Sequence, residues 1–114
     1  MDDSELKRRM LERKFELAVG YANRPNKDQR GGMDTAGQLL FYGLYKQATQ
    51  GPCKQKAPSS LSFVKRAKWD AWNQLGDMSS RRAMRLYLKE MDKVQPEWKQ
   101  AVKAAHEIKL RSKL

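Results

Sequence analysis

Apolar residues recur every three or four positions along most of this 114-residue chain, with polar residues between them. This spacing matches the 3.6-residue period of amphipathic helices. A first helix is expected from a cap at Asp2 or Ser4 to about Ala22. Its core-facing stripe is Leu11, Phe15, Ala18, Val19 and Ala22. A second apolar line on nearly the opposite side consists of Leu6, Met10, Leu17 and Tyr21. A helix that is apolar on two sides needs two partners.

The second predicted helix carries two different faces. It follows a polar stretch rich in Asn, Pro and Gly at 23–33, which predicts a loop, and a cap at Asp34 or Thr35. It ends near Thr49, before the stop signals Gly51 and Pro52. The core stripe is Gly37, Leu40, Phe41, Leu44 and Ala48. The neighbouring face holds Tyr42, Tyr45, Lys46 and Thr49, because positions i, i+3 and i+4 adjoin on a helix. Two phenols beside an ammonium form a patch suited to an anionic ligand with an aromatic part.

The remaining chain predicts two further core helices and a C-terminal segment. After a long polar connection at 51–61, Ser62 caps a third helix from Phe63 to Leu75, with Gly76 as its C′ residue. Its stripe is Val64, Ala67, Ala71 and Leu75, widened by Trp72. Ser79 caps a fourth helix that runs to about Val94, where Pro96 separates it from a last stripe. That last stripe is Trp98, Ala101, Val102, Ala105 and Ile108. It could cover the second apolar line of the first helix, and a protein partner or a membrane surface are the alternatives.

Lys68 falls inside the apolar stripe of the third helix, between Val64 and Trp72 in angle. A lysine in that position either extends its ammonium past the edge of the core or faces a bound anion. The spacing alone leaves both explanations open.

The net charge of +11 directs attention to an anionic partner. Nucleic acid, an acidic lipid surface and a phosphate-bearing small molecule all satisfy it. The single cysteine, Cys53, has no partner for an internal disulfide, which fits a reducing compartment. No apolar run is long enough to span a membrane, and the acidic N-terminus is unlike a secretory signal, so a cytoplasmic location is expected.

Catalytic and metal sites find little support in the sequence. The one histidine, His106, lies in the charged C-terminal segment, and Cys53 has no second ligand at metal-binding spacing. The Gly-Gly pair at 31–32 lacks the pattern of a phosphate loop. We therefore expect a binding protein with no catalytic residue, no metal and no cofactor. A small helical nucleic-acid-binding module is the alternative that the charge suggests.

Three spaced segments resemble one known family. YGLYKQATQG at 42–51, AKWDAWNQL at 67–75 and AMRLYLKEM at 83–91 closely resemble the acyl-CoA-binding protein family, and Phe15, Ala18, Pro58 and Phe63 also match its pattern. The resemblance covers about residues 15–95. It implies an all-α, four-helix up-down-down-up bundle, here with an extended N-terminal helix and an extra C-terminal helical segment. Residues 1–95 would be the acyl-CoA-binding domain, and 96–114 a basic amphipathic extension.

The resemblance also implies a ligand and a site. The ligand would be a long-chain fatty acyl-CoA, carried or pooled inside the cell by a monomeric protein. Transient contact with a membrane or an acyl-CoA-using enzyme, and no nucleic-acid partner, would go with that role. The family's CoA contacts correspond to Tyr42, Tyr45, Lys46, Lys68 and Tyr87. For Lys68, the resemblance favours ligand contact.

Two basic positions of the family pattern differ in this chain. Asn23 stands where a basic residue is common, so that contact is lost or taken by Arg24, Lys27 or Arg30. Val64 occupies another such position, with Lys65 and Arg66 as substitutes. The loop after the first helix is also longer than usual, which leaves chain-length preference open.

Overall fold

The computed structural model describes residues 1–25 and 35–114, and its secondary structure there is entirely helical. The helices are α1 (Asp3–Ala22), α2 (Thr35–Gln50), α3 (Phe63–Asn73), α4 (Ser80–Val94) and α5 (Trp98–Ser112). These positions confirm the helices predicted from the apolar periodicity. Among the described residues, no helix is long and apolar enough to cross a membrane. Most of the predicted loop at 23–33 and the predicted cap Asp34 lie outside the described residues.

Side-chain caps begin two of the helices. A carboxylate oxygen of Asp2 accepts a hydrogen bond from the backbone N–H of Glu5 at 2.8 Å, so Asp2 is the cap of α1. The Ser79 hydroxyl oxygen accepts from the N–H of Arg82 at 3.2 Å, as expected for α4. The prediction for Ser62 was wrong in one respect, because its side chain makes no capping bond to α3. Helix α3 also ends at Asn73, two residues early, and the chain continues through turns to Gly76, whose φ is +60°.

One compact unit consists of Met1–Gly32 and Leu88–Leu114. Its buried side chains include Phe15, Ala18, Met91 and Trp98. Helix α5 packs against α1, and the Trp98 indole N–H donates to Asp92 at 2.8 Å. The last predicted stripe thus covers part of the second apolar line of α1.

Polar contacts reinforce the packing of α1 against α5. The Tyr21 hydroxyl donates to a Glu97 carboxylate oxygen at 3.1 Å. Burial and then this hydrogen bond raise the pKa of Tyr21 above its ordinary value, with the nearby Arg24 acting in the opposite direction. Arg24 itself donates to the Tyr21 carbonyl at 2.8 Å and to the buried Gln95 side chain at 3.1 Å. These hydrogen bonds connect the C-terminal end of α1 to the segment between α4 and α5.

The other compact unit is Met33–Tyr87, and it centres on the crossing of α2 and α3. Gly43 is the point of closest approach, because a Cβ atom there would clash with the carbonyl oxygen of Ala71 and lie 2.9 Å from its carbonyl carbon. The missing side chain lets the two backbones meet directly. Leu44 and Trp72 are buried on the two sides of this crossing.

Gln47 fixes the turn between α3 and α4 onto α2. Its fully buried amide nitrogen donates to the carbonyls of Gly76 at 3.0 Å and Met78 at 2.7 Å. Both carbonyls belong to a turn whose backbone groups have no helical partner. One side chain of α2 therefore sets where α4 begins.

Two predicted core stripes are only partly buried. Val64 is 70% exposed, because it lies two turns before the part of α3 that packs on α2 at Ala71. On α5, Trp98 is buried and Val102 is half-buried, whereas Ala101, Ala105 and Ile108 are exposed. Periodicity identifies the apolar side of a helix, but only the neighbouring element determines how much of that side is covered.

Candidate functional site

The predicted binding face of α2 is solvent-accessible. Tyr42 and Lys46 are half-buried, and Tyr45 is 39% exposed. The Thr49 hydroxyl donates back to the Tyr45 carbonyl at 2.8 Å, so it serves its own helix. The two phenols and the ammonium of this face stay the predicted ligand contacts of α2.

Lys68 on α3 joins this face through the crossing at Gly43. Its ammonium nitrogen lies 5.4 Å from the centre of the Tyr42 ring, within the range of a cation–π contact. Lys68 is exposed, so its ammonium has left the core and stands beside an aromatic surface. A ligand that stacks on Tyr42 and carries a phosphate would meet this charge directly.

The ring of Trp72 contacts the ammonium of Lys46, the second cation of this face. The Lys46 nitrogen lies 4.9 Å from the centre of the Trp72 ring, which is itself 3% exposed. The Trp72 indole N–H donates to the carbonyl of Gly51, the residue directly after α2, at 2.9 Å. This hydrogen bond fixes the ring beside the last turns of α2. The sequence favoured a core role for Trp72 over a ligand-stacking one. Its position under Lys46 had no signal in the helical pattern, because the two residues lie on different helices.

In the part of the chain that the structure describes, no carboxylate neutralises the charges of Lys46 and Lys68. Among the described residues, neither Lys46 nor Lys68 has a carboxylate oxygen within 4.0 Å. Both ammonium groups instead lie over aromatic rings. Such a pair can accept an anionic group without first breaking an ion pair.

Tyr87, the fourth-helix residue of the predicted site, is mainly a core residue. It is 3% exposed, and its ring meets Phe41 edge to face at 4.9 Å and 78°. Phe41 directly precedes Tyr42 on α2, so Tyr87 helps to hold the α2 face in place. Its direct contact with a ligand stays a prediction.

The basic residues considered as replacements differ in their availability. Arg24 is already engaged with the Tyr21 and Gln95 oxygens. Arg66 pairs with Asp70 at 3.3 Å and donates to the Pro58 carbonyl at 3.3 Å, whereas Lys65 is exposed and has no described ion pair. Lys27 and Arg30 lie outside the described residues. Lys65 is thus the freest described cation of this group.

An exposed apolar cluster at the start of α3 was missed in the sequence. Leu61 is 84%, Phe63 78% and Val64 70% exposed. Three neighbouring apolar side chains open to solvent are typical of a binding surface. One sequence feature could have indicated this cluster: Phe63 matches the family pattern but does not belong to the predicted core stripe of α3.

No metal-binding cluster accompanies this face in the part of the chain that the structure describes. Groups of three or more His, Cys, Asp or Glu side chains able to hold a metal ion do not occur among those residues. What the geometry provides is aromatic surface, cationic groups and exposed apolar side chains, all within one compact unit.

The comparison with protein families shows to which family the chain belongs. The family model described as "Acyl CoA binding protein" matches residues 12–91. The chain belongs to the acyl-CoA-binding protein family. The described face, with Tyr42, Lys46 and Lys68, falls wholly inside the matched segment.

Relatives and solved structures agree with this membership. The chain is 41% identical over 87 residues to acyl-CoA-binding domain-containing protein 5 of Rattus norvegicus. The matched segment covers 76% of this chain and 17% of that protein. It is 49% identical over 61 residues to acyl-CoA-binding domain-containing protein 4 of Oryza sativa, covering 54% of this chain and 18% of the relative. The chain therefore spans less than a fifth of the length of these curated relatives.

Solved structures of similar size match most of the chain. The crystal structure of acyl-CoA-binding protein 2 of Oryza sativa has a TM-score of 0.69 and 31% identity, covering 81% of this chain and 96% of the other. The solution structure of an acyl-CoA-binding protein of Babesia bovis has a TM-score of 0.64 and 36% identity, covering 75% and 94%. The predicted all-α fold of the acyl-CoA-binding proteins is confirmed.

Proposed function

We propose that this chain binds long-chain fatty acyl-CoA thioesters non-covalently and acts as an intracellular acyl-CoA carrier and pool former. One observation carries the proposal: the ammonium of Lys68, which has no ion pair among the described residues, lies 5.4 Å from the centre of the Tyr42 ring on the neighbouring helix. Membership of the acyl-CoA-binding protein family supports the same ligand. Residues 1–95 form the ligand-binding domain in this proposal, and the protein works as a monomer in the cytoplasm.

The polar half of the ligand matches the face of α2 and α3. The adenine of CoA offers a flat ring for the tyrosines, and its phosphates offer charge for Lys46 and Lys68. A charge-assisted hydrogen bond to a phosphate contributes on the order of 1.5–3 kcal/mol. These contacts would distinguish the thioester from a free fatty acid, which carries no nucleotide.

The apolar half of the ligand needs a surface close to these charges. Val64 lies one turn before Lys68 on the same side of α3, and Phe63 and Leu61 adjoin it. We assign this exposed cluster to the acyl chain. Burial of each methylene contributes ~0.8 kcal/mol, so a chain of about sixteen carbons contributes roughly 10 kcal/mol before the cost of association.

A carrier role follows from the chemistry of the ligand. A free long-chain acyl-CoA is an amphiphile that enters membranes and micelles. A protein that covers its chain keeps it dispersed without making a covalent bond. Delivery then requires only transient contact with a membrane or with an enzyme that uses acyl-CoA.

Isothermal titration with palmitoyl-CoA, CoA and palmitate tests the proposed ligand. We expect palmitoyl-CoA to bind at least about a hundredfold more tightly than either fragment, because each fragment forms only one half of the contacts. Equal affinity for palmitate would contradict head-group recognition. Equal affinity for CoA would contradict a role for the apolar cluster at Leu61, Phe63 and Val64.

A further inference from the structure

A groove of about 460 Å³ lies between α1 and α5, on helices separate from the proposed acyl-CoA face. Its apolar floor consists of Leu17, Trp98 and Val102. Its rim is basic and consists of Arg13, Lys14, Lys99, Lys103 and His106. The described lining includes no acidic residue. Small-molecule sites in proteins occupy roughly 300–1,000 Å³ and combine an apolar surface with a few polar groups.

The floor of the groove is held in a fixed position. Trp98 is 2% exposed, and its indole N–H donates to Asp92 at 2.8 Å. The Tyr21 hydroxyl of α1 donates to Glu97, the residue directly before α5, at 3.1 Å and so links the two helices. The indole therefore cannot swing out to fill the groove without breaking the bond to Asp92.

Four lysine and arginine side chains on the rim divide into two that form ion pairs and two that form none among the described residues. Arg13 lies 3.7 Å from Glu16, and Lys99 lies 3.6 Å from Asp92. Lys14 and Lys103 have no carboxylate oxygen within 4.0 Å among the described residues. Both are exposed, one on each helix, so they flank the groove from its two sides.

We propose that this groove binds a single-chain amphiphile with a carboxylate or phosphate head group. The chain lies on the floor of Leu17, Trp98 and Val102, and the head group bonds the ammonium groups of Lys14 and Lys103. The apolar floor disfavours a fully polar anion, which would gain nothing from it. The floor is also recessed between two helices, so a flat bilayer surface would meet the lysines and leave the floor unfilled. This site is independent of the acyl-CoA face.

Nuclear magnetic resonance of the full-length, ¹⁵N-labelled chain tests the proposal with three probes that share one chain length. Dodecanoate and dodecyl phosphate carry the proposed head groups, and dodecyl maltoside carries an uncharged one. All three are kept below their critical micelle concentrations. We expect the two anions to shift the Trp98 indole N–H signal and the Val102 and Lys103 amide signals saturably. Dodecyl maltoside should bind at least about tenfold more weakly.

Two matched double variants separate local recognition from net charge. Lys14→Gln with Lys103→Gln should weaken dodecyl phosphate binding about tenfold or more, because both head-group contacts are lost. Lys7→Gln with Lys109→Gln removes the same charge from the same two helices, at exposed residues outside the groove lining. This control pair should change the affinity by less than about twofold. All four positions are exposed, so the fold is retained in both variants.

Four results would overturn the proposal. Equal affinity for dodecyl maltoside would show an apolar surface without head-group recognition. Equal loss in both double variants would show a general charge effect. Shifts confined to Tyr42, Lys46 and Lys68 would place the probe at the acyl-CoA face. Binding to phosphatidylglycerol vesicles without any response to the dissolved anions would make this surface a membrane contact.

Discussion

At the residue level, the candidate site contains two lysines whose ammonium groups lie over aromatic rings and have no carboxylate partner among the described residues. Lys46 lies over the buried Trp72 ring, and Lys68 lies over Tyr42. A cation–π contact at an exposed position is worth about 0.5–1 kcal/mol, less than a charge-assisted bond to a phosphate. The rings thus hold the ammonium groups weakly enough for a ligand to engage them.

Substitution of either lysine should separate binding from stability. We expect Lys46→Ala and Lys68→Ala each to weaken palmitoyl-CoA binding about 10- to 100-fold, because one charge-assisted contact is lost. The free energy of unfolding should fall by no more than about 1 kcal/mol, the value of the cation–π contact. Isothermal titration and urea denaturation measure the two quantities.

Lys89→Ala is the matched control for these two variants. It removes the same charge from an exposed position on α4, where the described structure shows no ion pair. Its affinity should stay within about twofold of the parent protein. A Lys46 or Lys68 variant that melts much earlier with unchanged affinity would identify that lysine as structural.

At the level of the helices, the site exists because α2 and α3 approach each other at Gly43. Its position against the Ala71 carbonyl leaves no room for a Cβ atom. Tyr42 and Lys68 lie on opposite helices of this crossing, and their 5.4 Å contact requires the helices to stay close. Gly43 directly follows Tyr42 and has no side chain, yet its close contact with α3 sets the distance between Tyr42 and Lys68, two of the proposed ligand contacts.

Gly43→Ala should therefore reduce both stability and affinity. Overpacking at a close contact costs about 1–3 kcal/mol, because one backbone must move away from the other. The matched control is Gly20→Ala on α1, where a new Cβ would meet no atom within 4 Å. Alanine is the better helix former, so this control should stabilise the protein by about 0.5 kcal/mol. Urea denaturation of both variants measures the difference, and equal effects of the same sign would contradict the close crossing.

At the level of the whole molecule, the two ends of the chain form one compact unit. Residues Met1–Gly32 and Leu88–Leu114 cluster together, and α5 contributes the buried Trp98 to this unit. The C-terminal segment is therefore part of the packed structure at its first turn, and its later residues are exposed except for the half-buried Val102. The Tyr21–Glu97 hydrogen bond adds a polar tie between the ends.

Deletion of residues 97–114 should lower the melting temperature markedly. The deletion removes Trp98, and loss of a buried tryptophan side chain costs about 3–5 kcal/mol, equivalent to roughly 10 °C or more in a chain of this size. Deletion of 110–114 alone is the control, since all five residues are exposed and should contribute almost nothing. Calorimetry of the two truncated proteins makes the comparison. An unchanged melting temperature for the longer deletion would show that α5 does not stabilise α1.

Periodicity predicted most of the helices because it reports the side of each helix that avoids water. The stripe of α1 through Phe15, Ala18 and Ala22 is buried as expected. Val64 and Ile108 fit the same pattern and are exposed. They differ from Phe15 only in whether another element covers them, and no local pattern contains that information.

The candidate site was only half visible in the helical pattern. Tyr42, Tyr45 and Lys46 share one helical face, so their spacing alone placed them together. The spacing left Lys68 ambiguous, and only the family resemblance favoured ligand contact. The structure places its ammonium 5.4 Å from the centre of the Tyr42 ring. Trp72 gave no sign of its contact with Lys46, because that contact crosses between helices.

The sequence by itself determined the helices, the cationic–aromatic face of α2 and the family, because each depends on residues at short and regular spacing. The tertiary structure alone decided which cations have protein partners, which apolar side chains stay open, and where α1 and α5 leave a groove. Those properties depend on distances between atoms far apart in the chain. Gly43 shows the difference. In the sequence it is only a poor helix former inside a predicted helix, whereas its contact with the Ala71 carbonyl explains why no larger residue fits there.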